Sequence, residues 1–397
     1  SSTTTFWRNF EIFFRILKLT STTGIYVFIY QKGWVIFLLF YLTNFLICFI
    51  YTIFPYIAKL RNKRKILYVI YSIHFALIAG FRSLNVGTDT LSYNTIFLGT
   101  INRNYTDILT TSKFSGYEVM MKLFSTFLNS NNTIFLFFIA LLTNGIFFYC
   151  AYKFEISEPF YVAFFYVTFY YFFQSMNMTR QTFAMALCVL SFYLYSSKKL
   201  FSSFVFFFCG VFVHSTSIVA IIFPILYKVN WTKRKYLLLT IATLAISFSY
   251  HLLIDIFVRF FDSYDMYINS TVDYSSKGGR ILLALFYSII LIIGIFYSTK
   301  TKKYNQLLMT MQGILIISCV LGFIFSSDQL MVRIQMYFEI FIIYYIPMLF
   351  ANHKIEYERA QPVFSYLIIP IMLLSIVPLV IQLLNNYGGV IPYEWVY

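Results

Sequence analysis

Three arginines stand where an apolar chain rarely places them. Arg82, Arg180 and Arg333 lie at the edges of hydrophobic runs, in GFRSLNVGTDTLSY (80–93), QSMNMTRQ (174–181) and SSDQLMVRIQMYFE (326–339). A guanidinium is a rigid fork that meets phosphate oxygens two at a time, and several together can hold a pyrophosphate. An ionisable side chain at membrane depth is a functional candidate by default. Snorkelling to lipid headgroups explains any one such arginine. It is less attractive for all three, each of which has polar neighbours.

Three further residues could take up a proton: Asp89, His214 and Glu118. Each also has a structural reading. Asp89 reads as the N-cap of a helix over 90–98, with Gly87 supplying the turn. Glu118 stands where a helix macrodipole welcomes a negative charge. His214, in FVHSTS, reads as a hydrogen-bonded core histidine. His74 precedes Arg82 by two turns and could support it from the same helical face. No DxD pair, His/Asp metal cluster, G-x-x-x-x-G-K-[ST] or G-x-S-x-G occurs, so neither a metal nor another cofactor is expected.

The elements that position these residues follow from composition. The chain has 397 residues, 60% of them hydrophobic and only 11% charged, with a mean hydropathy of +0.74. A soluble domain carries roughly 25% charged residues. Apolar windows long enough to cross a bilayer recur, which predicts an all-α, multi-pass membrane protein. Twelve spans are expected, give or take one or two: 34–57, 66–82, 132–152, 160–177, 181–197, 200–214, 215–228, 236–254, 281–299, 306–326, 334–350 and 362–384. The five cysteines fall inside these spans with no C-x-x-C pair, so neither a disulfide framework nor a zinc site is expected.

Orientation comes from Lys and Arg. Basic clusters such as KLRNKRK (59–65), KK (198–199), KRK (233–235) and KTKK (300–303) occupy alternate loops, marking the cytoplasmic side. The net charge of +15 is therefore a topological signal, and no nucleic-acid partner is expected. The opposite face carries 83–131, 178–180, 214–217, 255–280, 327–333 and the tail 385–397. Residues 1–33 read as an interfacial amphipathic segment. Within 83–131, residues 116–128 repeat apolar positions (Val119, Met120, Leu123, Phe124, Phe127, Leu128) as an amphipathic helix does. The Asp-, Tyr- and Ser-rich loop 255–280 has the composition of a sugar-binding surface and equally of an interfacial tyrosine belt.

The blocks FRSLNVGTDTLSYNTIF (81–97), GYEVMMKLF (116–124), MNMTRQTFAMALCVLSFYLYSSKK (176–199), GVFVHSTSIVAIIFPIL (210–226), VRIQMYFEIF (332–341) and NNYGGVIPYEW (385–395) together resemble the EpsG family of Wzy-like polysaccharide polymerases. The resemblance runs through residues 66–397 and implies a fold related to the GT-C class. It further implies an enzyme of the bacterial cytoplasmic (inner) membrane with its active site on the outer face. Donor and acceptor would both be undecaprenyl-diphosphate-linked oligosaccharides, with a chain-length regulator as a further partner. Arg82, Arg180 and Arg333 would bind the diphosphate. Asp89, His214 and Glu118, in that order, would be candidates for the base. Tyr93, Tyr117 and Gln181, beside these charges in the chain, would touch the rest of the substrate. Two rival functions share the same lipid-diphosphate chemistry: a lipid-linked oligosaccharide flippase, and another GT-C transferase such as an O-antigen ligase.

Overall fold

The computed structural model describes residues 33–57, 62–112, 115–128, 130–249, 277–301, 305–351 and 367–396. The expected interfacial segment before Gly33 and the loop 255–276 lie outside the described residues. Everything regular among the described residues is helical, apart from one isolated bridge.

Helices α1 (Gly33–Ile57) and α2 (Lys63–Gly80) lead to a loop and three short helices, α3 (Thr90–Ile101), α4 (Tyr105–Thr111) and α5 (Ser115–Phe127). Then follow α6 (Asn132–Lys153), α7 (Pro159–Thr168), α8 (Tyr171–Asn177), α9 (Thr179–Ser196) and α10 (Leu200–Val213). A 3₁₀ segment (Ser215–Ile221) runs into α11 (Ile222–Tyr227). The remaining helices are α12 (Lys233–Phe248), α13 (Lys277–Thr301), α14 (Gln306–Ile324), α15 (Gln329–Glu339), α16 (Ile342–Ala351) and α17 (Ile368–Leu384).

Among the described residues, four helical stretches are long and apolar enough to cross a membrane: α6, residues 279–296 of α13, α14, and the joined α15–α16 stretch Gln329–Phe350. Their burial sorts them. The windows in α14 and in α15–α16 are 83% buried, whereas that in α13 is only 28% buried. The first two are therefore the centre of the bundle and α13 its rim. Large apolar side chains are left outward on α10, α12, α13 and α17, among them Phe201, Phe248, Ile292 and Leu373. In water such exposure would be costly; against hydrocarbon it costs nothing.

Three of the expected spans are not single helices. The stretch 160–177 breaks between α7 and α8, where Tyr170 adopts a left-handed backbone (φ 72°). The stretch 215–228 begins as 3₁₀ and turns α-helical at Ile222, which places Pro224 in the first α-turn, where its missing N–H has no partner to lose. The stretch 334–350 is interrupted after Glu339. All three breaks border the segments that carry the polar residues.

Helix α5 forms where an amphipathic helix is expected, but its buried stripe is Tyr117, Met121 and Phe124, not the whole expected set. Leu123, Phe127 and Leu128 point outward. A 3.6-residue period accommodates two apolar stripes, and tertiary contact with α3 and α10 chose the one containing Gly116. Gly116 lies directly against the Phe212 backbone, a fit that no larger residue would allow.

Candidate functional site

The site is built around the loop that leaves α2. That helix ends at Gly80, pressed against the backbone of Phe137 on α6, so any side chain there would collide. The chain then turns through Gly87, whose φ of 91° suits glycine. Between them Arg82 points inward and is 1% exposed. Its Nη1 donates to the Ala79 carbonyl, its Nε to Val86 O at 3.3 Å and Thr90 Oγ1 at 3.4 Å. Its Nη2 donates to Thr90 Oγ1 at 3.3 Å and to Thr179 Oγ1 at 3.2 Å. The guanidinium thus ties the end of α2, the loop, α3 and α9 into one body. His74 takes no part: it makes ring contacts with Tyr51 and Phe75.

The C-terminal tail closes the loop from outside. Ser83 N donates to Glu394 O (2.7 Å), Val396 N to Phe81 O (3.0 Å) and Gly87 N to Gly389 O (2.8 Å), around an antiparallel bridge between Arg82 and Trp395. Tyr393 OH donates to Ile78 O and Tyr41 OH to Val390 O, each at 2.7 Å. Segments more than 300 residues apart are thereby held on one face.

Asp89 occupies the N-cap position of α3, yet its side chain makes no capping bond. The loop is held instead by its backbone, since Asp89 N and Thr88 Oγ1 both donate to Asn177 Oδ1, at 3.0 and 2.9 Å. That leaves the carboxylate for other work. Burial raises its pKa above the usual carboxylate range, opposed by the charges of Arg333 and Arg180 and by a bond from Thr88. The same two guanidinium groups act on Tyr93 and on His214. Arg180 opens α9, and its backbone N–H bonds Tyr93. Gln181 Nε2 donates to the Arg333 carbonyl at 2.8 Å, which fixes α9 against α15.

His214, the C-cap of α10, is buried. Its Nδ1 lies 2.6 Å from Thr216 Oγ1 and 3.2 Å from Tyr337 OH, and Ser217 Oγ donates to that same tyrosine at 2.9 Å. Tyr117 packs edge-on to Tyr93 at 5.6 Å, and its hydroxyl is buried with no partner. It senses the charges of Arg82 and Arg180.

One proposed base stands apart. Glu118 accepts from Arg103 Nη1 at 2.7 Å and from the Ser112 hydroxyl, while Arg103 Nη2 also donates to Asp107 O and Thr111 Oγ1. The pair fastens α4 to α5. Asp328 is likewise spoken for, since its Oδ1 caps α15 by accepting from Met331 N at 2.8 Å.

The charges of Arg180 and Arg333 therefore act together on Asp89, Tyr93 and His214, those of Arg82 and Arg180 act on Tyr117, and Gln181 is bonded to the Arg333 backbone. With three guanidinium groups and one carboxylate, the cluster carries two excess positive charges, and the N-terminus of α9 adds to them. Such a site suits a dianionic group with a hydroxyl nucleophile beside it. Sequence reasoning missed Asn177, Thr179 and Tyr337. Only Tyr337 left a readable signal, because it follows Arg333 by four residues on one helix face.

The model of the EpsG family matches residues 65–395 of the chain. Comparison with curated proteins and with solved structures returns no match.

Proposed function

Because the chain belongs to the EpsG family, we propose that it is a membrane polysaccharide polymerase. It transfers a glycan from an undecaprenyl-diphosphate carrier to the non-reducing end of a lipid-linked repeat unit, at the outer face of the bacterial cytoplasmic membrane, on a GT-C-related bundle. The observation that carries this reading is that the charges of Arg180 and Arg333 act together on Asp89, Tyr93 and His214, with Gln181 bonding α9 to the Arg333 carbonyl.

In the transfer, an acceptor hydroxyl oxygen bonds to the anomeric carbon of the donor sugar. The bond from that carbon to the diphosphate oxygen breaks, and its electron pair leaves with the lipid diphosphate. Arg180 and Arg333 stabilise the charge gathering on the leaving group, preorganised before the reaction begins. Asp89 takes the proton of the acceptor hydroxyl. Its raised pKa makes it a better base than a free carboxylate. Arg82 contributes positive potential and holds the loop, Tyr93 and Tyr117 line the approach, and Gln181 keeps α9 in register with Arg333. His214, locked to Tyr337, is the second candidate for the base. Glu118, already paired with Arg103, supports the outer helices.

The test is to incubate purified protein with a single lipid-linked repeat unit and resolve the products by length. A ladder, with release of lipid diphosphate, is the expected result. Movement of intact substrate between leaflets of a vesicle without a ladder would mark a flippase.

A further inference from the structure

Behind the arginine cluster, the loop 82–90 has a second side. An open cleft of about 580 Å³ is walled there by residues that include Ser83, Asn85, Asn94, Asn132, Thr133 and Trp395. Its size falls in the range of small-ligand sites. None of its lining residues is charged. Carboxamides both donate and accept, as a sugar hydroxyl requires. Trp395, 43% exposed, offers a broad ring of the kind that stacks on the C–H face of a pyranose.

Asn132 provides the independent sign of a ligand. It is 7% exposed, and both its Oδ1 and its Nδ2 are buried without a hydrogen-bond partner. Its neighbour Asn131 is committed to capping α6, accepting from Thr133 N at 2.8 Å and Ile134 N at 3.4 Å. Buried polar atoms are nearly always satisfied, so the free valences of Asn132 call for a group that enters the cleft. The carboxylate bonded to the wall is Glu394, which accepts from Asn85 Nδ2 at 3.0 Å, so the surroundings disfavour an anion.

The cleft and the cluster share their partition. Ser83 follows Arg82, Asn94 follows Tyr93, and Trp395 bridges to Arg82 through the backbone. We propose that this cleft is a subsite for a neutral segment of glycan, stacked on Trp395 and hydrogen-bonded by Asn132, Asn94 and Asn85. It would hold saccharide near the reacting end while the diphosphate lies with the arginines. The assignment rests on the polymerase reading and adds where the sugar chain is gripped.

The test uses full-length protein in lipid nanodiscs, titrated calorimetrically with a lipid-free, phosphate-free oligosaccharide. That probe is released by mild hydrolysis from the polymer made by a strain carrying the wild-type gene. Wild type should bind. Asn132→Ala and Trp395→Ala should each weaken binding about tenfold, the scale of one hydrogen bond or ring stack. Trp395→Phe should recover much of the loss. Asn132→Ala removes no existing hydrogen bond, so it keeps the fold. Ser130→Trp, at the exposed rim, should fill the cleft and block it. Arg180→Ala should bind as wild type does, because the probe carries no phosphate. Equal binding by wild type, Asn132→Ala and Ser130→Trp overturns the subsite, as does a probe that wild type does not bind. A loss in Arg180→Ala with Asn132→Ala unaffected moves the glycan to the arginines and also overturns it. A strain that makes the same polymer after deletion of the gene overturns the polymerase reading instead.

Discussion

Two regions of the molecule bring arginine charge to bear on a carboxylate, and they do so in different ways. At α4 and α5, Arg103 and Glu118 meet at 2.7 Å, and Nη2 of Arg103 donates to Asp107 O and Thr111 Oγ1. Around α9 and α15, the charges of Arg180 and Arg333 both act on Asp89, two cations to one carboxylate. The first is a direct ion pair, and the second is a concentration of positive charge acting on a carboxylate, a tyrosine and a histidine. Arg82 belongs chemically with the first region although it lies in the second, because its guanidinium donates to four groups of the protein. Arg82 is held as a structural arginine by the acceptors its surroundings supply, and its position in the sequence says nothing of this.

The comparison breaks most sharply on the α9–α15 pair. Arg180→Ala and Arg333→Ala should each lower transfer about 10²–10³-fold, the cost of removing one preorganised group from a leaving-group site. Transfer is to be normalised to the amount of folded protein. Lysine should rescue poorly, since it lacks the fork. Normal chain-length ladders from both alanine variants would end the diphosphate assignment.

Next comes Asp89→Asn, which keeps the backbone bonds to Asn177 and Tyr93. Loss of a general base costs at least about 10²-fold. Full activity would return Asp89 to a purely structural role.

A third experiment reads the same carboxyl through pH. Its pKa is raised by burial and lowered in opposition by Arg333 and Arg180. As the base must be ionised, activity should fall on acidification at a pH above the ordinary aspartate value of about 3.9. Arg333→Gln removes one of the lowering charges, so the limb should move to still higher pH in the residual activity. A limb that stays in place would uncouple the two residues.

Arg82→Ala should act differently again. It takes a donor from Ala79 O, Val86 O, Thr90 and Thr179 in a buried place, a loss of about 3 kcal/mol or more. Activity should fall together with melting temperature, and Arg82→Lys should not restore either. Loss of activity at unchanged stability would instead put Arg82 on the substrate.

The smallest effect belongs to Glu118→Gln. Activity should stay within about threefold of wild type, with stability lower by about 1 kcal/mol, the scale of one hydrogen bond that loses its charge. A collapse of activity at normal stability would bring Glu118 back as a base.

Much of this molecule was legible before folding. Apolar runs predicted helices, because in hydrocarbon every backbone polar group must be satisfied within its own segment. The three arginines and Asp89 stood out because charge is rare in such a chain. The interruptions within the stretches 160–177, 215–228 and 334–350 did not stand out, since hydropathy averages over them. The N-cap reading of Asp89 was right about the position and wrong about the side chain. Asn177, from α8, holds the loop and leaves the carboxylate without a capping role.

What the sequence determined by itself is the solvent each segment prefers and the scarcity of its charges, for both are local properties of composition and period. Only the tertiary structure decided which charges are spent. Arg82 meets Thr179 across 97 residues, and the tail meets the loop across more than 300. Hydrogen-bond satisfaction is a property of neighbours in space, and no local pattern encodes which neighbours will arrive.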